Sequence, residues 1–419
     1  MSDGSGEGGS DGPGAGTGAP LSLYHLLDPE VLADPYPLYR RLRDEDPVHW
    51  DPYLHAWVVT RYPDVATVLR QYRAARTPDP QRLAALGMGE LAPIAEVMVR
   101  QMLFLDPPEH GRVRRLASVA FTPRQVARLR DHIRSITEKL VADLAGAGRM
   151  EVMAGLANPL PAIVTAEMLG VPTADHDLLK GWSQDFAEML GNFQHNPGRA
   201  RRVLRSVDEM VAYFRAAVRA ARDRPAEGLI SALTNAEVDG DRLSEEEVVA
   251  NVIVTMVGGQ ETTTNLIGNG LLTLLRQPQQ LRRLREDPAL MPLAVEELLR
   301  YESPSQHTAR LAPAGAQLGG VDIPEGAAVI AVMGAANRDP EQFPEPDRLD
   351  LGRKESRHLA FGWAGHFCFG APLARVEGHI AFETLLARFR HLELDGDRPV
   401  TWRPNLGLRG LTELHVLTA

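Results

Sequence analysis

Cysteine is the scarcest chemically versatile residue in this chain of 419 amino acids, because Cys368 is the only one. A single thiol excludes an intramolecular disulfide and any zinc or iron–sulfur site built from several cysteines. Long apolar runs are also missing, and no stretch reaches the roughly 18 consecutive apolar residues that a membrane span needs. The amino terminus lacks the basic and apolar segments of a secretory signal. We therefore expect a cytoplasmic protein with no membrane segment.

Positive charge is in deficit, since 45 Lys and Arg residues face 55 Asp and Glu residues and the formal charge is −10. This balance argues against a protein that binds nucleic acid. The apolar share of 44% and the charged share of 24% are ordinary for globular proteins. A chain of this length can also bury a large core. Disorder of the whole chain is therefore excluded.

The first twenty residues differ in composition from the rest of the chain. Residues 1–20 are mostly Gly, Ser, Asp and Pro, which predicts a disordered tail. Glycines at 14–18 match a loose dinucleotide-binding pattern, but no predicted strand precedes them and no helical period follows, so we assign them no function. No second linker-like tract occurs after residue 20. Residues 21–419 are therefore predicted to form one domain.

Apolar residues recur at helical spacing through most of that domain, and predicted strands are few and short. The predicted fold class is therefore mainly α with a small β portion. Segments 48–50 and 56–60 predict a hairpin, and 328–332 predicts a further strand. The clearest helix spans about 244–276, with Ser244 as the expected N-cap and Glu247 completing a capping box. At 1.5 Å per residue it would be roughly 50 Å long, enough to cross the domain.

The middle of this long helix contains residues that weaken a buried helix, namely Gly258, Gly259, Glu261 and Thr262. Glycine costs ~1 kcal/mol against alanine, and a buried carboxylate costs several kcal/mol more unless it is paired or hydrated. We expect a local opening of the helix with internal water. Taken alone, the segment fits either a kinked helix with a satisfied glutamate or a proton relay beside a bound ligand.

Glycine and aromatic residues surround the single thiol in segment 361–375. Cys368 is predicted to stand just before the first turn of a helix, where free N–H groups and the positive helix end lower a thiol pKa. A thiolate is a good soft metal ligand, and flanking glycines let a flat cofactor approach the backbone. A lone cysteine is more commonly an inert core residue. The glycine and aromatic frame favours the ligand role here.

Two weaker patterns consist of charged residues at helical spacing. His110 and Arg114 share one face of a helix for which Asp106 is the expected cap. They fit either a solvated surface or a clamp for carboxylates. Glu297 and Arg300 form an i, i+3 pair, which by itself indicates nothing about function.

In this order and at these separations, the four segments resemble the cytochrome P450 family, in its soluble bacterial monooxygenase type, over residues 21–419. The resemblance implies a single-domain fold with haem between the long central helix, about 244–276, and the loop that contains Cys368. Cys368 would bind the haem iron. The implied catalytic residues are Glu261 and Thr262, an acid–alcohol pair, and Gly259, which together with Gly258 would widen the helix groove for dioxygen. The family commonly has glycine at the position of Ala364.

The resemblance also implies the residues that hold the cofactor and the substrate. Those that would bind the haem propionates are His110, Arg114, Arg310 and His366. Phe361 and Gly370 would contact the haem from the thiolate loop. A structural pair without a catalytic role would consist of Glu297 and Arg300, joined by Arg348. The expected residues of an apolar, adaptable substrate pocket are Met98, Met102, Phe186, Val254 and Gly258.

The expected activity is insertion of one oxygen atom from O2 into an apolar or aromatic small molecule, as a tailoring step of natural-product biosynthesis. The implied cofactor is haem b, with electrons from NAD(P)H delivered by a ferredoxin and its reductase to a monomeric enzyme. Two alternatives stay open, a peroxide-driven haem peroxygenase and a non-enzymatic haem sensor or electron-transfer protein. The peroxygenase would replace the acid–alcohol pair, and the sensor would not need it. The presence of Glu261 and Thr262 therefore favours the monooxygenase.

Overall fold

The computed structural model describes residues 21–77, 79–120, 123–146, 148–190, 197–354 and 356–418. The predicted disordered tail, residues 1–20, lies outside these ranges. Within them, helices carry most of the chain and the strands are short, so the prediction of a mainly α fold with a small β portion is confirmed. Among the described helices, none is long and apolar enough to cross a membrane.

The α-helices of the described residues are α1 (Pro29–Ala33), α2 (Tyr36–Glu45), α3 (Tyr62–Gln71), α4 (Pro80–Ala85), α5 (Ala92–Met98), α6 (Glu109–Ala120), α7 (Pro123–Asp143), α8 (Pro159–Leu169), α9 (His176–Leu190), α10 (Pro197–Asp223), α11 (Leu229–Asn235), α12 (Glu245–Arg276), α13 (Pro278–Glu286), α14 (Met291–Tyr301), α15 (Met333–Ala336) and α16 (Ala371–Arg388). Short 3₁₀ helices lie at Leu23–Leu27, Gly89–Leu91, Met102–Phe104, Thr173–Asp175, Pro288–Leu290 and Ala364–His366, and one π-helical turn lies at Met153–Ala157.

The strands are β1 (Val48–Asp51), β2 (Ala56–Val59), β3 (Arg149–Glu151), β4 (Thr308–Leu311), β5 (Ala316–Leu318), β6 (Val321–Ile323), β7 (Ala328–Ala331), β8 (Leu392–Leu394), β9 (Thr401–Trp402), β10 (Leu411–Glu413) and β11 (His415–Thr418). The largest sheet has the order β1-β2-β7-β4, in which β1 and β2 form the predicted hairpin. Strand β7 pairs parallel with β2, where Val58 lies opposite Ile330, and antiparallel with β4. The smaller sheets are β3-β11-β8, β9-β10 and β5-β6.

Helix α12 lies in the middle of the helical layer and packs against α8, α9, α10 and α16. Its start is fixed locally, because the Ser244 side chain accepts the Glu247 N–H and the Glu247 carboxylate accepts the Ser244 N–H. The predicted capping box is thus present. The helix remains α-helical through Gly258 and Gly259, so the predicted local opening is not seen. Most of its residues are buried in the largest apolar core.

A fully buried ion pair joins α14 to the segment that follows α15. Arg300 donates from Nε to Glu297 Oε2 at 2.7 Å and from Nη2 to Oε1 at 2.8 Å. Its Nη1 also donates to the carbonyl oxygens of Asn337 at 2.9 Å and Pro346 at 2.8 Å. Because neither side chain of the pair is exposed, these bonds compensate the cost of burying both charges.

The prediction that Arg348 joins this pair is wrong, because Arg353 occupies that place. Arg353 Nε lies 3.1 Å from Glu297 Oε2. The Arg348 guanidinium is directed towards solvent and pairs with Glu345 at 2.9 Å. The backbone turns between Glu345 and Arg348, so Arg348 presents its carbonyl oxygen to Arg300, at 3.4 Å, instead of its side chain. The sequence therefore predicts correctly that an arginine of this segment joins the pair, but that arginine is Arg353.

Candidate functional site

A cavity of about 310 Å³ lies between α12 and the segment that contains Cys368. Most of the surface that lines it is apolar. From α12, the lining residues include Val254, Thr255, Gly258, Gly259, Thr262 and Thr263. From the thiol segment, they include Phe361, His366, Cys368 and Gly370. The structure therefore brings the two motifs, which are about a hundred residues apart in sequence, to opposite sides of one space.

Cys368 lies three residues before the start of α16, as predicted. Its N–H donates to the carbonyl oxygen of Phe361 at 2.7 Å. Burial raises the pKa of the Cys368 thiol, although the Gly370 N–H and the Arg114 charge act to lower it. The predicted fall in this pKa is therefore wrong in its net direction, because desolvation of the sulfur outweighs the helix end. A cation bound to the sulfur would reverse that balance, since metal coordination deprotonates thiols.

The loop before the thiol explains why glycine is common at the position of Ala364. Ala364 has a φ of +57°, in the left-handed region, whereas the next residue, Gly365, is not among the residues of positive φ. A side chain in this conformation costs roughly 1–2 kcal/mol. The strain therefore lies at Ala364 itself and is not transferred to its glycine neighbour.

Cationic groups collect at one edge of the cavity. Arg76 and Arg310 both line it, and burial lowers the pKa of Arg76 to about 9 and that of Arg310 to about 10. The carboxylate of Asp106 opposes both shifts. Arg310 Nη1 donates to Thr308 Oγ1 at 2.9 Å, but the buried Arg310 Nε has no hydrogen-bond partner. This edge is therefore suited to bind carboxylates.

The other predicted propionate ligands meet at the same edge. The rings of His110 and His366 lie 4.0 Å apart between centroids. Burial, followed by the charges of His110 and Arg310, lowers the pKa of His366 to about 3, so His366 is neutral at neutral pH. Arg114 lines the cavity and donates from Nη2 to the Phe367 carbonyl oxygen at 2.8 Å. The structure thus brings all four predicted residues together.

Two details of this edge differ from the sequence-based expectation. Asp106 was expected to cap α6, but its carboxylate accepts the Ala74 N–H at 2.7 Å and so holds the segment that positions Arg76. Arg76 itself was not predicted, because it lies in an irregular segment between α3 and α4 where no periodicity identifies a face. Its guanidinium carbon lies 4.6 Å from the centroid of the Phe104 ring.

Glu261 is held by two cations on the side of α12 away from the cavity lining. Lys180 Nζ of α9 donates to Glu261 Oε1 at 2.7 Å, and Arg403 Nη1 donates to Oε2. Burial alone would raise the pKa of Glu261, but the charges of Lys180 and Arg403 lower it below its usual value. Glu261 is therefore an ionised carboxylate with both oxygens occupied. Neither cation was predicted, because each lies far from Glu261 in sequence.

Thr262 faces the cavity and Glu261 does not. The Thr262 Oγ1 donates to the Gly258 carbonyl oxygen at 2.7 Å, which places the hydroxyl over the glycine pair. A Cβ atom at Gly258 would have no neighbour within 4 Å, whereas one at Gly259 would lie 3.2 Å from Thr165 Oγ1. Gly258 thus leaves open space along the cavity, and Gly259 permits close packing against α8.

The predicted substrate residues divide into two groups. Met102, Val254 and Gly258 line the cavity. Phe186 and Met98 do not, since Phe186 is completely buried in the main core and Met98 packs against that core. The sequence could not separate the two groups, because an apolar residue on a helix face serves the core and a pocket equally well in sequence.

Glu377 of α16 is a further acid at the cavity that sequence reasoning missed. It is buried, it lines the cavity, and its Oε2 has no hydrogen-bond partner. Burial raises the pKa of Glu377 well above its usual value. The pKa of this cavity acid is therefore raised, whereas the pKa of Glu261 is lowered.

Comparison with known proteins identifies close relatives of this arrangement. Residues 55–412 match the family model described as Cytochrome P450. The chain is 38% identical over 390 residues to the Biotin biosynthesis cytochrome P450 of Bacillus subtilis (strain 168), covering 92% of this chain and 97% of the relative. It is 38% identical over 404 residues to Cytochrome P450 monooxygenase PikC of Streptomyces venezuelae, covering 93% and 92%. The crystal structure of P450BioI in complex with hexadec-9Z-enoic acid ligated acyl carrier protein matches with a TM-score of 0.88 and 35% identity, covering 93% of this chain and 99% of that one.

Proposed function

Because the chain belongs to the cytochrome P450 family and is a cytochrome P450 monooxygenase, we propose that it inserts one oxygen atom from O2 into an apolar or aromatic small molecule. The observation that carries this proposal is the cavity itself, which has the Thr262 hydroxyl on one side and the Cys368 thiol on the other. Its apolar lining supports an apolar substrate. The named role of the relative in biotin biosynthesis supports a biosynthetic tailoring step.

The residues present fit haem b, which carries two propionate carboxylates. The half-buried Arg76 and the buried Arg310, whose Nε is unpartnered, would be neutralised by these carboxylates, and His110, His366 and Arg114 border the same edge. The one thiol of the chain would ligate the iron. When bound, haem supplies oxygen activation, because a thiolate ligand donates electron density that favours cleavage of the O–O bond.

The distal residues would control how protons reach the reacting oxygen. The Thr262 hydroxyl can donate a hydrogen bond into the cavity if it leaves the Gly258 carbonyl oxygen. Glu261 can exchange protons with this region only after it separates from Lys180 or Arg403, since both of its oxygens are occupied. We assign the electron supply to a ferredoxin and an NAD(P)H-dependent reductase, because one cysteine provides no iron–sulfur cluster within the chain.

Replacement of Thr262 by alanine tests this function. We expect Thr262→Ala to bind haem and substrate normally but to divert electrons from product to hydrogen peroxide. The expected loss is roughly 10-fold or more in product formed per NAD(P)H consumed, because positioned proton transfer contributes ~10²–10⁴ in rate. Product, NAD(P)H and peroxide are measured with a reconstituted redox partner, and labelled dioxygen shows that product oxygen comes from O2.

Thr255→Ala is the matched control for this experiment. Thr255 lies on the same helix, lines the same cavity, and donates to a carbonyl oxygen one turn earlier, that of Asn251 at 2.7 Å. We expect its coupling of NAD(P)H to product to stay close to that of the unmodified enzyme. Unchanged coupling in Thr262→Ala, or an equal fall in both variants, would reject the assigned role of Thr262.

Arg76 gives a second prediction, for haem affinity. Arg76→Leu removes a desolvated cation from the edge of the cavity, and a hydrogen bond to a charged group contributes about 1.5–3 kcal/mol. We therefore expect the haem affinity of the apoprotein to fall by roughly 10-fold to 100-fold. Arg73→Leu is the control, because Arg73 is an exposed arginine of the same segment. Haem titrations that give equal affinities for the two variants would exclude a propionate contact by Arg76.

A further inference from the structure

A half-buried ion cluster lies on the thiolate side of the cavity. Glu296 of α14 accepts from Arg375 of α16 twice, Nε to Oε1 at 2.6 Å and Nη2 to Oε2 at 2.9 Å. His358, in the segment before the thiol loop, contacts Glu296 Oε2 through Nε2 at 3.2 Å. One carboxylate therefore connects two helices and the entrance to the thiol loop.

The hydrogen bond at the second ring nitrogen of His358, Nδ1, indicates which nitrogen carries the ring proton. The Ala360 N–H donates to His358 Nδ1 at 3.2 Å, so Nδ1 is an acceptor and the ring proton is on Nε2. Nε2 then donates to Glu296. In this arrangement His358 links the backbone at Ala360 to α14. The imidazole is almost inaccessible to solvent, with 2% of its side chain exposed, so water does not compete for either bond.

Arg375 and His358, the two partners of Glu296, both lie beside the ring of Phe361. The guanidinium carbon of Arg375 lies 4.5 Å from the centroid of the Phe361 ring, and the His358 ring lies 5.8 Å from it between centroids. The carbonyl oxygen of Phe361 accepts the Cys368 N–H at 2.7 Å. The residue that borders the sulfur ligand is therefore fixed from both sides by groups that bind Glu296.

Charge acts on the sulfur through the same cluster. The positive charge of Arg375 lies beside the Phe361 ring, and the Phe361 carbonyl oxygen accepts the Cys368 N–H at 2.7 Å. Glu296 lies behind Arg375 and offsets part of that positive charge. Hydrogen bonds from Arg375 and His358 outweigh the effect of burial and lower the pKa of Glu296 to about 2, so Glu296 stays ionised at neutral pH.

We propose that Glu296 is a positioning residue that sets, through Arg375 and His358, the electrostatic potential at Cys368 and hence the reduction potential of the haem. This inference rests on the proposed function, since it concerns the haem ligated by Cys368. Reduction adds negative charge to the haem, so a nearby uncompensated cation raises the potential and an uncompensated anion lowers it. The two partners of one ion pair must then act with opposite signs.

Spectroelectrochemical titration of the holoenzyme tests this proposal. We expect Glu296→Gln, which leaves Arg375 uncompensated, to shift the potential to more positive values. Arg375→Gln, which leaves Glu296 uncompensated, shifts it to more negative values, and the double variant lies between the two. Glu383→Gln is the control. Glu383 lies on α16, the helix of Arg375, and forms an ion pair with Arg134 at 2.9 Å, away from the thiol loop. Its potential stays that of the unmodified enzyme.

Opposite signs separate charge tuning from damage to the fold. A purely structural role would shift both single variants in the same direction, and that result, or unshifted potentials in both, would overturn the proposal. Should Glu296→Gln not accumulate as holoenzyme, the sign for Arg375→Gln decides alone: a negative shift supports the proposal, and a positive or zero shift overturns it. Failure of the proposed function is distinct, because the unmodified protein would then form no oxygenated product, whatever the potentials of the variants.

Discussion

Arg300→Ala is expected to lose about 3–5 kcal/mol of unfolding free energy, the usual cost of removing one partner from a buried ion pair. The substitution leaves the Glu297 carboxylate buried with only Arg353 as a cationic partner. It also removes the donors that satisfy the carbonyl oxygens of Asn337 and Pro346. Urea unfolding followed by circular dichroism measures the loss.

Arg348→Ala is the matched control for this prediction. Arg348 is the arginine that the sequence placed at the pair, but its guanidinium is exposed and contacts Glu345. An exposed ion pair contributes roughly 0–1 kcal/mol, so we expect a loss within that range. Equal losses for Arg348→Ala and Arg300→Ala would contradict the arrangement of Glu297, Arg300 and Arg353 described here.

Cys368→Ala is expected to abolish formation of oxygenated product while the protein remains folded. The variant removes the only thiol that borders the cavity among the described residues, and with it the electron donation that favours O–O cleavage. The cost in unfolding free energy is small, about 1 kcal/mol, because little volume is lost. Product formation with the reconstituted redox partner and urea unfolding are measured on the same preparation.

The outcome that contradicts this prediction is residual oxygenation. If Cys368→Ala still forms product at a tenth or more of the unmodified rate (an order-of-magnitude threshold, roughly 1.4 kcal/mol in activation free energy), the sulfur is not required for the reaction. The urea unfolding measurement tests a second explanation, in which the variant forms no product because it is unfolded. A variant whose unfolding midpoint falls far below that of the unmodified protein gives no product for a structural reason, and haem content then identifies that case.

Features that depend on neighbouring residues could be predicted from the sequence. The capping box at Ser244 requires only four residues, and it begins α12 as expected. The position of Cys368 before α16 follows in the same way from the glycine-rich loop and the helical period after it. His110 and Arg114 were placed on one helix face by their spacing alone, and the resemblance then supplied their role.

Features that depend on tertiary contacts could not be predicted. Lys180 and Arg403 bind Glu261 from segments 81 and 142 residues away, so no local pattern connects them. Arg353 replaced Arg348 because a backbone turn decides which of two nearby arginines faces Glu297. The net direction of the Cys368 pKa depends on how deeply the sulfur is buried, which the sequence does not specify.

The absorption spectrum of the reduced protein with carbon monoxide tests the assignment of Cys368 as the iron ligand. We expect the unmodified holoenzyme to show the strongly red-shifted Soret band of a haem with a thiolate ligand. Cys368→Ala, reconstituted with haem and measured under the same conditions, should lose that band. An unmodified protein with the spectrum of an imidazole-ligated haem, or a Cys368→Ala variant that keeps the red-shifted band, would contradict the assignment.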